Sequence, residues 1–163
     1  MNDTLQKAIG ELYQSSQKTA LVAPNLTQML AEETLTWEEI EAMYQDCARA
    51  LCEVLSTTLS MVQNPQITHN ITRPTEFKVV IDGLVRDMDQ FSKRLVAIHE
   101  QHKDRAGRIT TEDEVQEAYS LYSKYAAFFD NFKALTFQSL ITITDLVGEA
   151  ISKLNAQEKD TAQ

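Results

Sequence analysis

The stretch TEDEVQEAYSLYSKYAAFFDNFKALTFQSLITITDLVGEAISKLN, residues 111–155, decides the fold. Thr111 and Glu114 have the spacing of a capping box, so a helix is predicted to begin there, and no proline follows within the stretch. At 1.5 Å per residue this helix would be about 68 Å long. Such a length is typical of an elongated bundle or a coiled coil, and it predicts an all-α protein.

Apolar side chains cover a wide arc of this last helix. On a helical wheel they span roughly 200°, whereas a helix that packs on one side needs only about 100°. They are Tyr119, Leu121, Tyr122, Tyr125, Phe128, Phe129, Phe132, Leu135, Phe137, Leu140, Ile143, Leu146, Val147, Ile151 and Leu154. The helix is therefore expected to lie at the centre of the fold or to be covered by a second protein.

Two further long helices precede it. Thr36 and Glu39 form another capping box, which predicts a helix from there to about Val62. Pro74 suits a first helical turn, and an apolar stripe continues from it to about Arg105. Gly107 then has the position of a left-handed helix stop, so the third and last helices are predicted to be antiparallel neighbours.

The remaining segments are less regular. A weakly amphipathic helix is predicted over residues 3–20, with Leu5, Ala8, Ile9 and Leu12 on its stripe, followed by a break at Pro24 and a short helix over 26–33. Residues 64–73 form a long connection, either a plain loop or a short extended segment. Gly83, inside the third helix, is interpreted as a point of close packing.

These elements predict an elongated, antiparallel, coiled-coil-like bundle of three long helices plus a shorter N-terminal helix. The chain is expected to be a single domain. Within it, residues 1–35 carry the N-terminal helices, residues 36–156 form the bundle and residues 157–163 are a polar tail.

The end of the last helix is predicted to be an interface. Counted outward from Gly107, the third helix runs out near Ile143, whereas apolar residues continue beyond it. Leaving several large side chains in water forgoes several kcal/mol at about 25 cal/mol per Å². We therefore expect a homo-oligomer or a protein partner to cover Phe137, Ile141, Leu146, Val147, Ile151 and Leu154.

Charge argues against nucleic acid as a partner. The net charge is −9, so the surface repels phosphate backbones at long range. The densest basic cluster is sparse and interrupted by Glu100 and Asp104, which is typical of a solvated helix face. It consists of Lys93, Arg94, Lys103, Arg105 and Arg108.

Few residues favour catalysis or cofactor binding. His99 and His102, three apart on one helix, are the main metal-ligand candidates, against a structural role at the bundle end. No Glu-x-x-His, Gly-x-Ser-x-Gly or phosphate-binding glycine loop occurs. The aromatic run from Tyr119 to Phe132 is interpreted as core, and Cys47 and Cys52 as reduced thiols. We expect no enzyme activity, no cofactor, no metal and no small-molecule substrate.

Targeting signals are also sparse. The sequence shows no signal peptide and no stretch of about 18 apolar residues, so no membrane span and a cytoplasmic location are expected.

Long acidic helices without a catalytic motif resemble, in type, small structural or assembly-helper proteins of tailed phages and helical secretion-system components. That resemblance implies a structural or assembly protein that self-associates or docks a partner, in a virion if phage-derived. The alternatives are a small chaperone-like or regulatory adaptor that binds a protein client, a metal-dependent bundle enzyme and a nucleic-acid accessory protein.

Overall fold

The computed structural model describes residues 2–161, together with the side chains of residues 7, 10, 11, 13–15 and 17–160. These residues form helices and turns, without a strand, so the all-α prediction is confirmed. The five helices are α1 (Asn2–Ala31), α2 (Trp37–Val62), α3 (Pro65–Thr68), α4 (Pro74–His102) and α5 (Glu112–Thr161).

Local hydrogen bonding fixes one end of the molecule, as predicted. The Glu39 N–H donates to the Thr36 Oγ1 at 3.2 Å, so Thr36 caps α2. Thr111 and Glu114 bond reciprocally: the Glu114 N–H donates to the Thr111 Oγ1 at 3.2 Å, and the Thr111 N–H donates to the Glu114 carboxylate at 3.4 Å. Gly107 has φ 84°, the left-handed conformation that favours glycine.

The two turns at this end are joined to each other. The Trp37 N–H donates to the Gly107 carbonyl at 3.1 Å, and the Ile109 N–H donates to the Leu35 carbonyl at 3.2 Å. The Gly107 N–H in turn donates to the Glu38 carboxylate at 2.9 Å, which lowers the pKa of that carboxyl. The start of α2 is therefore held beside the start of α5.

The predicted break at Pro24 is wrong. α1 is one helix of 30 residues with Pro24 inside it, and it is slightly longer than α2 and α4, which have 26 and 29 residues. An interior proline costs roughly 3 kcal/mol, because it lacks an N–H and its ring meets the preceding turn. Val22 and Leu26 flank Pro24 and are 7% and 0% exposed, so core packing offsets that cost. The side chains of Leu5, Ala8, Ile9 and Leu12 lie outside the described part of the chain.

The connection between α2 and α4 is compact. The extended alternative for residues 64–73 is wrong, because Pro65–Thr68 is the helical turn α3. The Asn64 side chain caps it by accepting from the Gln66 N–H at 2.9 Å. Ile67 and Ile71 are buried, so the connection contributes to the core.

Helix directions follow from contacts at two levels. Trp37 and Tyr44 of α2 contact Glu114 and Tyr125 of α5, so these helices run parallel. Gln101 of α4 bonds Lys124 at 3.0 Å, and Phe91 stacks on Phe132 at 3.9 Å, so α4 and α5 run antiparallel. α1 packs against both α2 and α5. The aromatic core lies between α2, α4 and α5.

Two smaller expectations are corrected. A Cβ built on Gly83 would meet only the Arg86 guanidinium, at 3.7 Å, so this glycine does not mark close packing. The third helix ends at His102, and α5 continues past Asn155 to Thr161, through most of the predicted polar tail. Residues 156–161 contain neither glycine nor proline, so nothing in them stops a helix.

Candidate functional site

The seam between α4 and α5 is built from aromatic rings. Phe91 of α4 stacks on Phe128 and Phe132 of α5, with ring centroids 4.8 and 3.9 Å apart. Phe91 and Phe132 are 2% and 3% exposed, whereas Phe128 lies half-buried at the outer edge of the seam. This contact holds the two helices side by side, and an open surface groove runs along the outside of the seam.

Small residues keep this surface groove open. Ala97 of α4 and Ala127 of α5 are both exposed and line a cavity of about 450 Å³, the floor of which is Ile98 and Phe128. A smaller cavity of about 170 Å³ shares some lining residues with the larger one and extends the groove towards Asp87 and Leu135. We call the two together the α4–α5 groove; they share Arg94, Phe128 and Asn131.

The polar lining of the groove is unusual for this chain. The larger cavity is lined by Arg94, Lys124, Gln101 and Asn131 and by no carboxylate, although the chain has 24 acidic and 15 basic side chains. Asp87, in the smaller cavity, is the one acidic residue that lines the groove. The groove therefore combines an apolar floor with a local positive charge.

Residues 137–154, which we call the far part of α5, correct the interface prediction by their burial. Leu146 and Val147, which were expected to need a second subunit, are 0% and 1% exposed in the single chain. Side chains that are already buried within the chain have no accessible surface left for a partner to contact. Phe137, Ile151 and Leu154 are half-buried, and Ile141 is 64% exposed. Only these last four keep a surface that an interface could use.

The connection between α2 and α4, residues 63–73, helps to explain why the far part of α5 is buried. α3 packs against α5, with Ile67 1% and Ile71 8% exposed. Next to them the Thr72 hydroxyl donates to the Glu149 carboxylate, and the Arg73 guanidinium donates to the same carboxylate at 2.8 Å. These two donors lower the pKa of Glu149, the hydroxyl more than the guanidinium. The loop that seemed only to link two helices thus packs on α5 and is tied to it.

The two histidines of α4 meet different surroundings. His99 Nδ1 hydrogen-bonds with the Glu41 carboxylate of α2, which joins two helices. His102 is half-buried, and burial lowers its pKa. Among the described residues, no group of three or more His, Cys, Asp or Glu side chains is placed to hold a metal ion. His99 thus connects α4 to α2.

The aromatic run of α5 and the two cysteines of α2 also belong to the packing of the bundle. The aromatic run is mainly core: Tyr125 and Phe129 are 2% and 0% exposed, and burial raises the pKa of Tyr125 to about 12. Tyr44, which lies on the apolar stripe of α2, stacks on Tyr125 and donates to the Tyr122 carbonyl at 3.1 Å. Cys47 and Cys52 are free thiols, and their pKa values are raised by burial.

The basic cluster does not form a shared patch. Lys93, Lys103 and Arg105 each pair with a nearby carboxylate: Asp89 at 2.9 Å, Glu100 at 2.9 Å and Glu117 at 2.7 Å respectively. Arg94 differs, because it lines the groove. Sequence patterns missed the groove, since Ala97 and Ala127 fall outside the apolar stripes; small residues on facing outer edges of adjacent helices were the available signal.

Comparison with known proteins does not add to this description. The chain matches no protein-family model, no curated protein and no solved structure. α5 is long and apolar enough to cross a membrane by length and composition alone. The core helix of a soluble protein meets the same criterion, and α5 contacts the four other helices, α1, α2, α3 and α4.

Proposed function

We propose that this protein is a non-enzymatic assembly or adaptor protein that acts by docking a segment of another protein into the α4–α5 groove. The observation that carries the proposal is the open groove itself, with its apolar floor of Ile98 and Phe128 between two helices. Amphipathic segments bind such grooves by inserting apolar side chains at helical spacing. A coiled-coil-like bundle of long helices would serve as the rigid support.

The polar rim supports a docking role over a catalytic one. Protein interfaces combine an apolar centre with a polar edge, and Arg is enriched in them. Arg94, Gln101, Lys124 and Asn131 provide such an edge, and all four are exposed. These solvated side chains can recognise a partner by charge and hydrogen bonding.

Site-specific photo-crosslinking in cells that naturally make the protein tests this proposal. A photoreactive phenylalanine analogue would replace Ala97 or Ala127 in the groove, with Ala42 as the control, an exposed alanine of α2, which contributes no lining residue to the groove. We expect discrete higher-mass adducts from the two groove positions and none from position 42. Equal adduct patterns at all three positions, or no adduct from the groove, would contradict the proposal.

Self-association is the second candidate, supported by one observation on α5. Ile141 is 64% exposed beside a cleft of about 170 Å³, which is lined by Phe137, Leu140, Ile141, Thr144 and Asp145. Light scattering over a concentration series would show a dimer that the Ile141→Glu variant loses and the Gln138→Glu variant keeps. A monomer at all concentrations rules this candidate out and leaves the groove proposal intact.

A further inference from the structure

We infer that the occupant of the α4–α5 groove is an acidic amphipathic helix of a partner protein. This inference rests on the proposed docking function and specifies the chemistry of the partner. It starts from charge: two cations and no carboxylate line the larger cavity, in a chain whose net charge is −9. Complementary charge steers association and excludes partners of the wrong sign.

Arg94 and Lys124 are available to a ligand. Both are exposed, and among the described side chains neither forms an ion pair; Lys124 donates to the Gln101 amide oxygen, at 3.0 Å. A guanidinium binds a carboxylate through two parallel hydrogen bonds, and an ammonium adds a point charge. One or two partner carboxylates would therefore find donors on both walls of the groove.

The length of the groove fits a short helix. From Asp87 to Gln101 the lining residues of α4 cover 15 positions, whose ends are about 21 Å apart along the helix. A partner helix of about four turns spans that distance and places three or four apolar side chains on the floor. Those side chains would meet Ile98 and Phe128 on the floor and Leu135, which is 43% exposed, beside the smaller cavity.

The charges also give the occupant a direction. Lys124 lies at one end of the groove, Arg94 in the part that both cavities share, and Asp87 at the other end. Acidic residues at the Asp87 end would face a like charge, which is unfavourable. The partner helix is therefore expected to carry its carboxylates in the half that lies over Arg94 and Lys124.

Two other occupants fit less well. A site for a small amphiphile encloses most of its ligand, whereas the rim residues here are exposed and the groove is open along its length. A second copy would need an exposed apolar helix face. On the described surface, no two exposed large hydrophobic residues of one helix are three or four positions apart: they are Tyr13, Leu21, Val79, Val85, Val96, Tyr119, Leu135 and Ile141.

A displayed peptide library tests the inference. The probe is a yeast-displayed set of four-turn amphipathic helices with a fixed apolar stripe and randomised flanking charges. It is sorted for binding to the full chain, and each selected peptide is then measured against variants. We expect enrichment of Asp and Glu in one half of the helix. We also expect Arg94→Glu combined with Lys124→Glu to weaken binding at least about tenfold, with the loss growing as salt falls.

Matched controls separate the possible failures. Lys93→Glu with Lys153→Glu makes the same charge change on the same two helices, at exposed positions outside the groove lining, and should leave affinity unchanged. Selected helices without an acidic bias, still blocked by Ala127→Trp, would overturn this inference and leave the docking function standing. A library that yields no helix blocked by Ala127→Trp would overturn both, as would stoichiometric binding of dodecanoate in place of peptides.

Discussion

Two parts of α5 differ in how far the rest of the chain covers their apolar side chains. In the far part, Leu146, Val147 and Ala150 are fully covered within the chain, with α3 and the following loop packed against that helix. In the near part, Ala97 of α4 and Ala127 leave a groove beside Phe128 that stays open in the described part of the chain. The apolar content of a helix thus does not locate its interface; the size and position of neighbouring residues do.

The largest expected effect tests whether the far part is packed. Leu146→Ala should lower the free energy of unfolding by about 2–5 kcal/mol, because it removes a buried side chain and leaves a cavity. Ile141→Ala, five residues away but exposed, should change it by less than about 0.5 kcal/mol. Urea unfolding followed by circular dichroism measures both. Equal effects from the two variants would break the contrast between covered and open surface.

Glycine replacement gives a smaller effect of opposite sign. Gly83→Ala and Gly148→Ala should each raise the free energy of unfolding by roughly 0.5–1 kcal/mol, since alanine loses less backbone entropy in a helix. A Cβ at Gly148 meets nothing within 4 Å, and one at Gly83 meets only a flexible guanidinium. The same urea titration would show destabilisation instead if either glycine allowed a close helix contact.

Acid should weaken the tie between the covering loop and α5. The folded-state pKa of Glu149 is below its ordinary value of 4.5, through the Thr72 hydroxyl and then the Arg73 guanidinium. A lowered carboxyl pKa contributes stability that is full above the unfolded-state pKa and is lost as pH falls through the folded-state pKa. The stability difference between wild type and Glu149→Gln should therefore shrink as the pH is lowered from about 6 to below about 4. A constant difference across that range would exclude the tie.

The smallest expected effect concerns the groove. Arg94→Glu combined with Lys124→Glu should change the free energy of unfolding by less than about 0.5 kcal/mol, because both side chains are exposed and neither forms an ion pair with a described side chain. Thermal unfolding followed by circular dichroism provides the check. A large destabilisation would mean that these cations hold α4 on α5 and are not kept for a ligand.

Sequence patterns predicted the features that short-range chemistry controls. The caps at Thr36 and Thr111 and the left-handed Gly107 each depend on residues a few positions apart, and the structure has all three. The apolar stripe of α5 also identified most of the residues that this helix contributes to the core. Pro24 was misjudged because its local cost is offset by the packing of Val22 and Leu26, which no local pattern contains.

The rest depended on which elements meet in space. Ile67 and Ile71 lie in a segment with loop composition, and only the fold brings that segment against α5. The groove depends on Ala97 and Ala127 facing each other across two helices, although each is an ordinary exposed alanine in its own helix. A wheel drawn for one helix reports its apolar arc and not the residues that cover it.

Thiol accessibility tests the central contrast most directly. In a background with Cys47 and Cys52 replaced by alanine, Val147→Cys and Ala127→Cys would be labelled separately with a maleimide under native conditions. Since Val147 is 1% exposed and Ala127 lines the open groove, we predict that the thiol at position 127 reacts at least about a hundredfold faster. Rates within a few-fold of each other would contradict the account, because the far part of α5 would then be as open as the groove.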